Sequence, residues 1–290
     1  MYYFLSLIAG IITAVMITVN GGLNSFFGLF TANILIHAAG GIAIFLVILI
    51  KRERFIFPKQ PFYFYLGGFV GVFIILFNNI AFGQISVSAM LALGLLGQVV
   101  FGFFIDEWGW FGMPIRKFRR DKILGLVLIG AGIAFMIDSF AALAVSLSFL
   151  VGVFVVLART LNGGLGQRTS VYVSCAFNYI FGLLGSLAVF AFLGRNEILE
   201  FIPAINAMDF NNIWLLAGGP LGMTIVLMFN AVTPRISAFY VTLLSFIGQI
   251  LAGILIDWLL VGQTSLYIII GGVLTALGLG ANMYADSKSS

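Results

Sequence analysis

Apolar residues along this chain come in long unbroken runs, with neither strand alternation nor an amphipathic stripe. Such runs lie near 3–22, 31–50, 65–83, 85–105, 122–139, 143–163, 170–193, 212–231, 236–257 and 264–285. A bilayer core takes about 20 apolar residues per helix, so each run is long enough for one span. In lipid the backbone N–H and C=O groups find no water, and only helices or closed barrels satisfy them. A barrel needs alternating strands. The pattern therefore predicts an all-α integral membrane protein with ten transmembrane helices. The first run, Tyr2 to about Asn20, has no basic leader and no small-x-small cleavage site, so it is expected to be a retained span.

Composition points the same way: 62% of residues are hydrophobic, 8% are charged and the mean hydropathy is +1.16. Soluble domains are about a quarter charged, and this chain has too little charge to cover a water-facing surface. A net charge of +4 invites a nucleic-acid reading until the charges are located. With ten spans, both termini and every even-numbered loop share one face. Twelve of the 14 basic residues fall there: Lys51, Arg52, Arg54, Lys59, Arg116, Lys117, Arg119, Arg120, Lys122, Arg168, Arg235 and Lys288. The opposite face has Arg195, beside Glu197, Glu200 and Asp209, and Arg159 falls within a span. The bias puts both termini in the cytoplasm and the protein in the cytoplasmic membrane. It leaves membrane lipid, not nucleic acid, as the partner of the basic loops. Trp108, Trp110, Trp214 and Trp258 fall at predicted helix ends, where amphipathic rings prefer to lie. The single Cys175 cannot form an intramolecular disulfide, and no zinc pattern, phosphate loop or serine-hydrolase elbow occurs. No catalytic residue, metal or cofactor is expected.

The chain is also self-similar. Gly67–Asp106 aligns without a gap on Gly218–Asp257, and fourteen pairs are identical. They include Gly71/Gly222, Asn79/Asn230, Ser86/Ser237, Gly97-Gln98/Gly248-Gln249, Gly102/Gly253 and Asp106/Asp257. Asn20-Gly21-Gly22-Leu23 recurs as Asn162-Gly163-Gly164-Leu165, and Gly125 and Gly132 recur as Gly271 and Gly278. Chance likeness between apolar runs does not match Asn, Gln and Asp in order, so the halves, 1–142 and 143–290, are a duplication. Five spans per half is an odd number, so the second half crosses the membrane inverted. The basic loop after the second span and the acidic one after the seventh agree with that. Inverted repeats commonly support alternating access around a site near the midplane.

The paired Asn-Gly-Gly-Leu segments and the Gly-Gln-x-x-x-Gly-x-x-Ile-Asp helix ends resemble the YdcZ-type family of the drug/metabolite transporter superfamily. The resemblance covers nearly the whole chain, as a fused two-repeat form of a five-helix unit. It implies a secondary transporter, an exporter of a small metabolite or drug, with the first, third and fourth spans and their mates lining a central cavity. It also likens the glycine-rich last span of each half to the dimerising helix of the small multidrug resistance proteins. Those proteins couple to protons through a glutamate in their first helix; here neither the first nor the sixth span carries an acid.

Within the spans, polar residues recur at a four-residue stride, which drifts slowly around a helix and makes one face. Gly94, Gln98, Gly102 and Asp106 form one such face, mirrored by Ser245, Gln249, Gly253 and Asp257. It reads as a cavity wall whose Gln98 and Gln249 bind substrate, or as helix–helix packing, with the two aspartates capping helix ends. A second face runs Gly67, Gly71, Ile75, Asn79, mirrored by Gly218, Gly222, Val226, Asn230, and admits the same two readings. Asn20 and Asn162 either bind substrate or end their helices before a left-handed glycine. Arg159, whose repeat partner is Ile17, either binds an anionic group or snorkels to the interface. His37, the sole histidine, is a candidate for proton coupling or a helix–helix hydrogen bond; its partner is Tyr179, beside Asn178. The expected function is transport of a small-molecule substrate, by a monomer of fused repeats or a homodimer. A non-transporting receptor or scaffold and a membrane-embedded enzyme are the alternatives; scattered acids and a single histidine argue against the enzyme.

Overall fold

The apolar runs fold into helices. In a computed structural model that describes residues 1–55, 59–110, 123–136, 141–207, 209, 212–232, 235, 238–262 and 266–287, eleven α-helices follow one another. They are α1 Tyr2–Phe27, α2 Leu29–Lys51, α3 Gly67–Ala81, α4 Val87–Trp108, α5 Ile123–Met136, α6 Ala142–Arg168, α7 Val171–Leu193, α8 Ile198–Ala207, α9 Gly218–Val232, α10 Ala238–Val261 and α11 Leu266–Ser287. Short 3-10 turns, Phe62–Leu66 and Ile213–Ala217, lead into α3 and α9. No strand is present among the described residues. Arg116, Lys117, Arg119, Arg120, Lys122, Ser237, Lys288 and the side chain of Asp106 lie outside them.

Eight helices, two of them counted with the leading 3-10 turn, are long and apolar enough to cross a membrane. Two further apolar helices, Ile123–Met136 and Leu266–Asn282, are shorter as described. The chain is a multi-pass membrane protein. The short α8 was not expected; it lies in the loop after α7 and packs Phe201 against the cluster of Leu23, Phe27, Ala32, Ile36 and Leu215.

The chain divides into two compact units, each drawing on both repeats. The first comprises residues 1–15, 81–156 and 232–290. Its seam is glycine against glycine: Gly125 lies on Gly278 and Gly132 on Gly271, so α5 and α11, which are repeat mates, run antiparallel. In the same unit α6 presents Gly152 to the Gly94 carbonyl of α4, and α1 presents Gly10 to the Ser245 carbonyl of α10. These two contacts are images of each other under the repeat. A β-carbon at either glycine would overlap a carbonyl oxygen, and only glycine lets backbones come this close.

The second unit comprises residues 16–80 and 157–231. Its core repeats in mirrored form: Leu23 with Leu215 in one cluster, Leu165 with Phe64 in the other. Here one expectation fails. Asn20 and Asn162 do not end their helices; α1 continues to Phe27 and α6 to Arg168. The following glycines serve close approach instead. A β-carbon at Gly22 would stand 2.8 Å from Leu215 Cδ2, and one at Gly164 would overlap the Phe64 ring. A left-handed glycine stands instead at Gly28, with φ 87°, between α1 and α2. The N-terminus of α2 is capped by Glu197, whose carboxylate accepts from Phe30 N at 3.1 Å and Thr31 N at 2.8 Å.

Candidate functional site

The polar residues predicted within spans separate between the two units. Asn20, His37, Asn79, Arg159, Asn162 and Asn230 belong to the second, Gln98 and Gln249 to the first.

In the second unit α2 and α7 pack antiparallel through a reciprocal exchange. His37 of α2 fills the place a side chain would need at Gly182 of α7, and Tyr179 of α7 fills the place at Gly40 of α2. The rings meet edge to face, centroids 6.1 Å apart. The His37 ring is 2% exposed, and its Nδ1 lies 3.0 Å from the Asn33 carbonyl and 2.9 Å from Ser186 Oγ. A carbonyl only accepts, so Nδ1 carries the hydrogen and Nε2 is left as the acceptor of the neutral ring. Ser186 Oγ also lies 2.8 Å from Asn33 Oδ1, and Asn33 Nδ2 donates to the Val72 carbonyl at 2.9 Å. The histidine thus ties α2 to α7, and Asn33 of the same network ties α2 to α3. Its counterpart Tyr179 donates to the Gly219 carbonyl at 3.2 Å and binds α9 in the same way.

Asn20 and Asn162 occupy equivalent places: Asn20 fits over Gly218 at the start of α9, Asn162 over Gly67 at the start of α3. Their bonding differs. Asn162 Nδ2 donates to Asn178 Oδ1 at 2.8 Å. At the position matching Asn178 the first repeat has Ile36, and Asn20 Oδ1 is buried with no partner among the described residues. Asn79 is more extreme. It is 3% exposed, and neither its Oδ1 nor its Nδ2 finds a partner among the described residues. Only its backbone carbonyl is engaged, by Asn24 Nδ2 at 3.4 Å. The mate Asn230 likewise has a buried Nδ2 with no partner among the described residues. Each orphaned buried polar atom costs about 1–3 kcal/mol. The glycines of this stripe pack helices; its asparagines are left open.

Arg159 is half-buried in α6, with its guanidinium carbon over the Phe229 ring, 4.5 Å from the centroid. Among the described residues no carboxylate pairs with it. A mid-span arginine costs about 2.5–3.5 kcal/mol on insertion scales, and a ring face offsets only part of that.

The sequence model described as "Putative inner membrane exporter, YdcZ" matches this chain twice, over residues 1–135 and 143–280. The chain belongs to the YdcZ-type family of the drug/metabolite transporter superfamily. A crystal structure of a protein 16% identical in sequence covers 98% of this chain and 96% of its own, with a TM-score of 0.61. That likeness concerns the fold. None of the curated proteins matches the chain.

In the first unit of this YdcZ-type protein, Gln98 is half-buried on α4 and Gln249 buried on α10. Asp257 of α10 caps the N-terminus of α4, accepting from Val87 N at 2.8 Å, Ser88 N at 3.0 Å and Ser88 Oγ. An apolar groove of about 600 Å³ runs between α10 and α11, lined by Leu243, Ile247, Val273, Leu277 and Tyr284 among others. It lacks the convergent polar groups that mark a substrate site. Among the described residues no three His, Cys, Asp or Glu side chains gather to hold a metal ion. Sequence reasoning missed Asn178, Ser186, Asn33 and Phe229, which act as partners of the residues it named. Asn178 alone carried a signal, as a polar residue beside the partner of His37.

Proposed function

We propose that this chain exports a small polar molecule across the cytoplasmic membrane by alternating access between two inverted five-helix repeats, 1–142 and 143–290. The buried carboxamide of Asn79, unpaired at both atoms among the described residues, with its repeat mate Asn230 unpaired at Nδ2, carries the reading. A folded core leaves such groups open at a stability cost when a ligand supplies the missing bonds. The antiparallel packing of mates α5 with α11 and α2 with α7 supports inversion. Counting the two shorter apolar helices with the eight longer ones gives the ten spans. The basic loops favour cytoplasmic termini, testable by reporter fusions at each end. A monomer suffices on this reading, since the glycine faces of α5 and α11 satisfy each other within one chain.

Asn79→Leu separates the readings. If Asn79 binds substrate, the variant loses efflux from proteoliposomes yet keeps or gains stability, by up to about 1–3 kcal/mol, because an unsatisfied amide is gone. A variant that unfolds instead makes Asn79 a structural residue. Asn230→Leu follows the same logic in the second repeat. Gln98 and Gln249 are proposed as further substrate contacts. His37 is proposed as the proton-coupling group: in His37→Gln, efflux is expected to lose its dependence on pH. An unchanged pH profile with efflux intact leaves His37 only its packing role.

A further inference from the structure

We infer that Arg159, with the amide of Asn230, binds an oxyanion, a carboxylate or phosphate group of the exported molecule; the inference rests on the export reading. The guanidinium has five N–H donors and no acceptor. Its neighbour, the Phe229 face 4.5 Å away, gives electrostatic contact with a cation but has no lone pair for those donors. No carboxylate among the described residues pairs with Arg159. The residue after Phe229 is Asn230, whose Nδ2 is buried and also a donor without a partner. Arg159 thus lies against a ring of α9, Asn230 is the next residue of that helix, and neither the guanidinium nor Asn230 Nδ2 has a hydrogen-bond acceptor among the described residues. Acceptor-rich anions suit such a set, and a planar carboxylate or a phosphate takes two guanidinium N–H groups at once.

Position 17, the mate of Arg159, is isoleucine, and position 78, the mate of Phe229, is asparagine. Both members of the cation–ring pair are therefore special to the second repeat, and the duplicated framework folds without them in the first. That is the pattern of a binding group added to a scaffold, and it makes the substrate site asymmetric in charge.

The same chemistry is offered by an anionic lipid headgroup, so the test separates the sources. The whole protein is placed in nanodiscs of neutral phosphatidylcholine. Thermal unfolding is followed with benzoate, benzamide and benzylammonium, a set of one ring with three charges, and with methyl phosphate. Benzoate or methyl phosphate is expected to raise the midpoint in a concentration-dependent way, and benzamide and benzylammonium much less. Arg159→Gln is expected to remove the anion effect and Arg159→Lys to keep part of it. Asn230→Leu, which keeps the cation, is expected to weaken anion binding about tenfold or less. An equal response of wild type and Arg159→Gln, or a preference for benzylammonium, overturns the proposal. So does stabilisation by phosphatidylglycerol nanodiscs alone with no response to the soluble anions. Efflux of a mixed anionic, neutral and cationic metabolite load from proteoliposomes is measured in parallel. Efflux of anions unchanged in Arg159→Gln overturns the anion site and leaves export standing. Anion binding without efflux of any class supports the site and sinks the export reading.

Discussion

Gly132→Ala is expected to destabilise the protein by about 1–3 kcal/mol, whereas Gly130→Ala, two residues earlier in α5, is expected to leave it unchanged or stabilise it by about 0.5–1 kcal/mol. Both glycines lie in the same apolar helix, and propensity alone favours alanine at both. Packing separates them. A β-carbon at Gly132 would overlap Thr275 Oγ1 and stand 2.6 Å from the Gly271 carbonyl and 2.7 Å from Thr275 N, so backbone must give way. A β-carbon at Gly130 meets nothing within 4 Å. The mate helix repeats the contrast: Gly278 would meet the Gly125 carbonyl at 2.6 Å, Gly280 nothing. Leucine at position 132 or 278 is expected to prevent assembly of the folded protein. Unfolding by titration with a denaturing detergent, compared across the four alanine variants, reads the result. Similar stabilities for Gly130→Ala and Gly132→Ala would contradict a glycine seam between α5 and α11.

Of the ten spans expected from sequence, eight are described helices long and apolar enough to cross a membrane, because membrane helices are selected first for apolar length, and length is visible without neighbours. It also showed the duplication, since Asn, Gln and Asp inside apolar runs are too costly to recur by accident. Two features were not legible. Asn20-Gly21-Gly22 looks like a helix end, because in water an asparagine before glycine often is one. Here the glycines are spent on letting Leu215 and Phe64 approach, and the helices run on. The amphipathic α8 was passed over as loop; its ten residues are too short to span and include Pro203. For the candidate site, sequence named Asn20, Asn79, Asn162, Asn230 and Arg159 but not which are satisfied. That depends on partners far along the chain: Asn178 closes the bond of Asn162, and Ile36 leaves Asn20 open. The two glutamines share a motif with each other, yet nothing in that motif assigns them to a different unit from the asparagines.

Asp257→Ala is expected to cost about 2–4 kcal/mol, since it leaves two buried backbone donors and a serine hydroxyl without an acceptor. The first residues of any helix carry N–H groups with no partner inside the helix. At α4 Ser86 satisfies one of them, accepting from Ala89 N at 3.2 Å. The next two, Val87 N and Ser88 N, point to the carboxylate of Asp257 from α10. The carboxylate itself is 5% exposed, so water does not replace the lost bonds, and its charge faces the positive end of the helix dipole. Asp257→Asn keeps the shape but turns an NH₂ toward N–H donors, and is expected to fall between alanine and wild type. The Ser88→Ala variant alone removes one donor and its bond together, at about 1 kcal/mol. A double-mutant cycle of the two positions is expected to show coupling of about 0.5–3 kcal/mol, because both act on one network. Additive effects, with no coupling, would mean that Asp257 supports α10 alone and does not hold the start of α4.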